Sequence, residues 1–101
     1  MNAISVMVSY RVLPGHVPAA LSAIASLVST VLATEPACKG IEILQEASDE
    51  TRVTLLERWP SQQEFLGPHM QQPHIQGFIR EAAAFLAGPP EISFWRCIVA
   101  A

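Results

Sequence analysis

The chain has 101 residues, is 50% hydrophobic and 15% charged, and carries a formal net charge of −3. That leaves room for one domain built on one core and excludes a second. Its six Lys and Arg residues are scattered singly, which excludes a nucleic-acid backbone as partner.

Ordinary domains are about 45–50% apolar and about 25% charged. So little charge beside so much apolar sequence predicts an apolar face covered by a second copy, most simply as a two-fold homodimer. The opening residues lack the basic segment of an export signal. No apolar run reaches the roughly 20 residues of a membrane span. The expectation is a cytoplasmic protein that does not contact a membrane. Cys38 and Cys97 lie far apart without metal spacing, and are expected as reduced, mostly buried thiols.

In chain order, residues 3–12 alternate as a strand, with Ile4, Val6, Val8, Tyr10 and Val12 on one face. Leu13-Pro14-Gly15 is a turn, and Pro18 stands where the first turn of a helix tolerates it. Val17, Leu21, Ile24, Val28 and Val31 then form one helical stripe. The helix ends at Thr34-Glu35-Pro36, because a residue before proline is pushed out of helical geometry. Gly40 opens a second strand, and Ser48–Thr51 turns the chain into a third at residues 52–59. Ser61 and Glu64 have the spacing of a capping box for a short helix ending near Gly67-Pro68. Pro73 starts a further helix whose stripe is Ile75, Phe78, Ile79, Ala82, Phe85 and Leu86. Gly88-Pro89-Pro90 breaks it, and residues 91–100 form the last strand.

The order β-α-β-β-α-β predicts an α+β, ferredoxin-like fold over residues 1–101 as a single domain. Its antiparallel sheet has the first and third strands in the centre and both helices on one face. Two bare sheet faces packed together would make a dimeric α+β barrel.

Candidate chemistry concentrates between Glu57 and His74. In the third strand Val53, Leu55, Glu57 and Trp59 share a face, and a carboxylate between Leu55 and Trp59 is costly to bury without a partner or a task. Glu57 is a candidate base with a raised pKa; the structural alternative is an ion pair with Arg11, Arg58 or Arg96. Trp59 is a candidate floor for a planar ligand, or else closes the core. Trp95 is assigned to the core or an interface. His69 lies in an irregular segment ahead of a helix, where active residues concentrate, and an imidazole suits proton transfer at cellular pH. His74 follows in the first helical turn, and His16 is read as a surface residue. The spacing of His69 and His74 does not stack them on one helix face, and no third ligand stands at a family-like spacing, so no metal site is expected.

Several segments together resemble the antibiotic biosynthesis monooxygenase family, in particular its quinol monooxygenase-like members. They are Pro14-Gly15, Thr34-Glu35-Pro36-Ala37-Cys38-Lys39-Gly40, Glu57-Arg58-Trp59-Pro60-Ser61 and His69-Met70-Gln71-Gln72-Pro73-His74-Ile75. The resemblance covers nearly the whole chain, with one departure at Ala37, where the family usually has Gly. It implies paired ferredoxin-like subunits, each with a pocket between sheet and helices. It also implies an oxidoreductase, a monooxygenase that attacks a small aromatic, phenolic or quinol substrate with O2 and without a cofactor. His69 would be the base or hydroxyl partner, with Glu57 orienting it or acting in its place. Trp59 and His74 would serve substrate binding, Trp59 by stacking and His74 from behind. The family's haem-degrading branch relies on an Asn in the first strand, and this strand has none. The alternatives are an isomerase or lyase of a small metabolite in the same pocket, or a non-enzymatic small-molecule binding protein.

Overall fold

The computed structural model describes residues 3–101; Met1 and Asn2, which begin the segment read above for an export signal, lie outside them. The alternation through Ile4–Arg11 forms β1, and the helical stripe gives α1 over Val17–Thr34. A hairpin follows, of β2 (Gly40–Glu46) and β3 (Asp49–Trp59). After it come the short α2 (Gln62–Leu66), a 3-10 turn over His69–Gln71, α3 (Pro73–Ala82) and β4 (Glu91–Trp95).

The strands form one antiparallel sheet in the order β2-β3-β1-β4. The chain therefore has the ferredoxin-like α+β arrangement, with β1 and β3 in the centre. Because β1 and β3 pair in the register Val6↔Glu57 and Val8↔Leu55, their inward side chains stand together. Val6, Val8, Tyr10, Val53, Leu55, Glu57 and Trp59 are all buried. Onto that face α1 lays Val17, Ala20, Ile24, Val28 and Val31, and α3 lays Ile75 and Phe78. Leu21, expected in the α1 stripe, packs at the edge of this core while Ala20 takes the central place. The tight link from β1 to α1 is made by Gly15, whose φ of 81° is open to glycine at little cost.

The other sheet face carries no helix, and Leu44 and Trp95 remain 44% and 55% exposed on it. Trp95 is therefore not part of the subunit core; its indole N–H donates to Ser93 Oγ at 2.8 Å.

Three boundaries differ from expectation, each for a reason in hydrogen bonding. The hairpin turn is only Ala47-Ser48, because Asp49 Oδ1 accepts from the Thr51 amide (3.0 Å) and hydroxyl (2.6 Å) and so extends β3. Helix α3 stops at Ala82, before Phe85 and Leu86, because the chain there leaves the helix to pair with the end of β1. Leu13 N–H donates to Phe85 O (2.9 Å) and Ala87 N–H to Arg11 O (2.8 Å). Strand β4 ends at Trp95, whose partner Ser5 is near the start of β1, so residues 96–100 have no strand left to join. Cys97 is consequently exposed, unlike buried Cys38. Finally, α1 is by length and composition apolar enough to cross a membrane, contrary to the sequence reading; here its apolar stripe is used against the sheet.

Ser61 caps α2, its Oγ accepting from the Glu64 amide at 3.2 Å. Ser61→Ala is expected to lower stability by about 1 kcal/mol in chemical denaturation, the usual cost of a lost N-cap.

Candidate functional site

Between the inward sheet face and the helices lies a cavity of about 660 Å³, a volume typical of small-molecule sites. Its wall is mostly aliphatic and aromatic, with Val8, Val28, Leu55, Phe65, Ile75 and Phe78 among its contributors. Among the described residues the polar side chains that reach it are Tyr10, Glu57 and His69, and no Lys or Arg lines it.

Glu57 is placed there by strand alternation, with Val6 and Ile41 as its neighbours across the sheet. It is 4% exposed and has no ion pair among the described residues: Arg11 pairs with Asp49 and Arg52 with Glu46. The structural alternative of an ion pair is thus not what holds it. One carboxyl oxygen accepts from Trp59 Nε1–H at 2.8 Å. The second has no such partner, and no side-chain polar atom among the described residues is both sealed and unpartnered. That oxygen therefore opens to the cavity. Burial pushes the Glu57 pKa up from 4.5 to about 7, against the pull of the Trp59 hydrogen bond. At neutral pH both protonation states are populated.

His69 is delivered by the 3-10 turn between Pro68 and Pro73. Gln72 Nε2 holds that turn by donating to Pro68 O (3.3 Å), and Gln76 Nε2 by donating to Met70 O (2.7 Å). The imidazole is buried, and its Nδ1 lies 2.9 and 3.1 Å from the two oxygens of Glu35. A carboxylate only accepts, so Nδ1 carries the proton. Burial lowers the His69 pKa more than Glu35 raises it, which leaves Nε2 as an unprotonated lone pair. Nε2 has no partner among the described residues and is not sealed, so it faces the cavity. A neutral imidazole oriented by a carboxylate at its far nitrogen is the arrangement of a general base.

Glu35 was read from the sequence only as part of a helix terminus, and its role there was missed. The helix ends at this residue because Pro36 follows, and the carboxylate is then buried, at 7% exposure, against the turn of His69. Its second oxygen meets His74 Nε2 at 2.6 Å. Tyr10 was also missed as a site residue: its hydroxyl has no hydrogen bond among the described residues and faces the cavity. Burial, then the nearby Glu57, raises its pKa.

One placement corrects the sequence reading. Trp59, expected to stack on a ligand, is 1% exposed and does not line the cavity. It stands behind the wall, with its ring centroid 4.5 Å from that of His69 and its N–H on Glu57. It braces both polar groups at once. His74, expected to act from behind, does not line the cavity, because Glu35 holds it on the outer side. Among the described residues no group of three or more His, Cys, Asp or Glu is arranged to hold a metal ion. The His69 and His74 side chains each bond to Glu35 instead.

Residues 3–81 match the family model for antibiotic biosynthesis monooxygenase. The chain belongs to that family. Solved structures agree on the fold. A conserved protein from Methanosarcina mazei Go1 is 26% identical, with a TM-score of 0.83 over 95% of this chain and 93% of its own. A provisionally named antibiotic biosynthesis monooxygenase from Nitrosomonas europaea is 21% identical, with a TM-score of 0.86 over 96% and 91%. Another, from Bordetella bronchiseptica, is 17% identical, with a TM-score of 0.86 over 98% and 100%. A search among curated proteins returns no match.

The raised pKa of Glu57 has a consequence for stability. The folded state holds that proton more tightly, so the contribution is complete below pH 4.5 and lost as pH rises through about 7. His69 has the opposite sign, its lowered pKa giving a contribution present above pH 6.5 and lost as pH falls. Glu57→Gln, which mimics the protonated acid, is expected to match the wild type at pH 4 and exceed it by up to about 3 kcal/mol at pH 8. Urea unfolding at the two pH values checks this, and a constant difference would contradict it.

Proposed function

We propose that this family member is a cofactor-independent monooxygenase of a small, uncharged phenol or quinol. The observation that carries the reading is the His69 imidazole, oriented by Glu35 through Nδ1, with Nε2 opening onto an apolar cavity. Such a base takes the hydroxyl proton and leaves an electron-rich anion in a water-poor chamber, where charge is stabilised by few fixed groups. The anion then reduces O2. For a quinol the balance is one O2 consumed, one oxygen atom added to the ring, and one water released, with all four electrons coming from the substrate. Glu57, near its midpoint at neutral pH, is suited to hydrogen-bond a second ring oxygen or return a proton.

The absence of Lys and Arg from the described cavity wall weighs against phosphorylated or carboxylated ligands. A base and an acid in one chamber would also serve an isomerase acting on a neutral metabolite, and oxygen uptake separates the two readings. The exposed Leu44 and Trp95 on the bare sheet face support assembly as a homodimer through that face. Sedimentation should then give about twice the 11.0 kDa of one chain.

Quinols and anthrones tested in an oxygen electrode are expected to include a substrate consumed with one O2 per turnover. His69→Ala should lower kcat by about 100-fold or more, the usual worth of a general base. Unchanged turnover in that variant would remove His69 from the mechanism.

A further inference from the structure

The function proposed above uses His69 and leaves its neighbour His74 without a task, yet the two imidazoles share one carboxylate. Glu35 accepts from His69 Nδ1 at 2.9 Å and from His74 Nε2 at 2.6 Å. The side chains are graded outward, at 5% exposure for His69, 7% for Glu35 and 18% for His74. His74 Nδ1 has no partner among the described residues and is not sealed, and His74 does not line the cavity, so Nδ1 faces solvent.

We propose that His74 is a positioning residue acting on His69 through Glu35: the carboxylate neutralises one imidazolium, which is His74 while His69 is an empty base and becomes His69 once substrate is deprotonated. This rests on the reading of His69 as the base. In the step itself the substrate O–H bond breaks, its proton goes to His69 Nε2, and the electron pair stays on the substrate oxygen. His74 releases its Nδ1 proton to water. The three groups sum to zero charge before and after, with the carboxylate at −1 and one imidazolium at +1. No proton crosses Glu35, so His69 keeps the Nδ1–H tautomer that the next cycle requires.

A buried base that gains a proton is ordinarily opposed by the loss of hydration. Here a compensating charge leaves at the solvent-facing end, and the burden on the buried end is reduced. The charged neighbours are few. Those that reach His69 are Glu35 and His74. Glu35 is in turn felt by Glu57 on β3 and by the buried thiol of Cys38. The Lys39 ammonium is turned to Pro36 O, at 3.0 Å.

The test is a pH titration of the histidine rings by ¹⁵N-edited NMR on the full chain without substrate, with exposed His16 as the internal reference. In the wild type, His69 and His74 are expected to titrate in two steps that both rings report, as coupled sites do. In His74→Gln, which keeps an N–H for Glu35 and removes the charge, the His69 midpoint should rise by about one pH unit. In Glu35→Gln it should fall. Independent single transitions for the two wild-type rings would overturn the proposal, as would a His69 midpoint unmoved by His74→Gln. The wild-type titration decides the matter even where a variant does not fold. Since no substrate is used, failure here and failure of the oxygenase assay are separate results.

Discussion

The structure of the site depends on one buried carboxylate. Glu35 sits at the end of α1 with its charge taken out of water, which is costly unless donors surround it. The donors are two imidazole N–H groups from the segment that follows the hairpin, His69 and His74. This links the end of the first helix to the start of α3 and fixes the irregular stretch between Gly67 and Pro73 in one geometry. Removing either side would leave a polar group stranded, at a cost of several kcal/mol. The loop is therefore held by electrostatics where its own backbone offers only a 3-10 turn.

From that anchor the chemistry follows in order. Glu35 fixes the Nδ1–H tautomer of His69, and the tautomer leaves Nε2 free. Trp59 then stands between the two halves of the site, its ring tilted against His69 and its N–H donated to Glu57. Phe65 packs on both aromatic rings, at centroid distances of 5.8 Å from Trp59 and 4.9 Å from His69. An acid and a base that lie far apart in chemistry are thus held by one indole. Among the described residues the walls supply no Lys or Arg, and the proton affinities of Glu57 and His69 are shifted mainly by burial, in opposite directions. Burial raises the first and lowers the second, because in each case it disfavours the charged form.

Much of the fold was legible in the sequence because its signals are local. Period-two alternation in β1 and β3, the stripe of α1 and the prolines at 18, 36 and 73 act on neighbours within a few residues. Glu57 and His69 were legible as candidates for the same kind of reason: each breaks a local rule, one as a charge on an apolar strand face, the other as an imidazole in a proline-bounded bend. Trp59 was placed correctly in the core side of β3 but not in its task, since whether an indole lines a cavity or backs its wall depends on what packs over it. Glu35 carried a sign that local reasoning explains away, because any residue before Pro36 ends the helix.

The sequence by itself determined the element order, the sheet face that is apolar, and the presence of an acid and imidazoles along one stretch, since these rest on periodicity and backbone chemistry. Tertiary structure alone decided that Glu35 and His69, 34 residues apart in the chain, share a hydrogen bond. It also decided that Tyr10 reaches the cavity, and that His74 faces outward. The reason is that pairing between distant side chains depends on how helices seat on the sheet. That seating is set by the summed packing of the whole core, and no single stretch of residues encodes it.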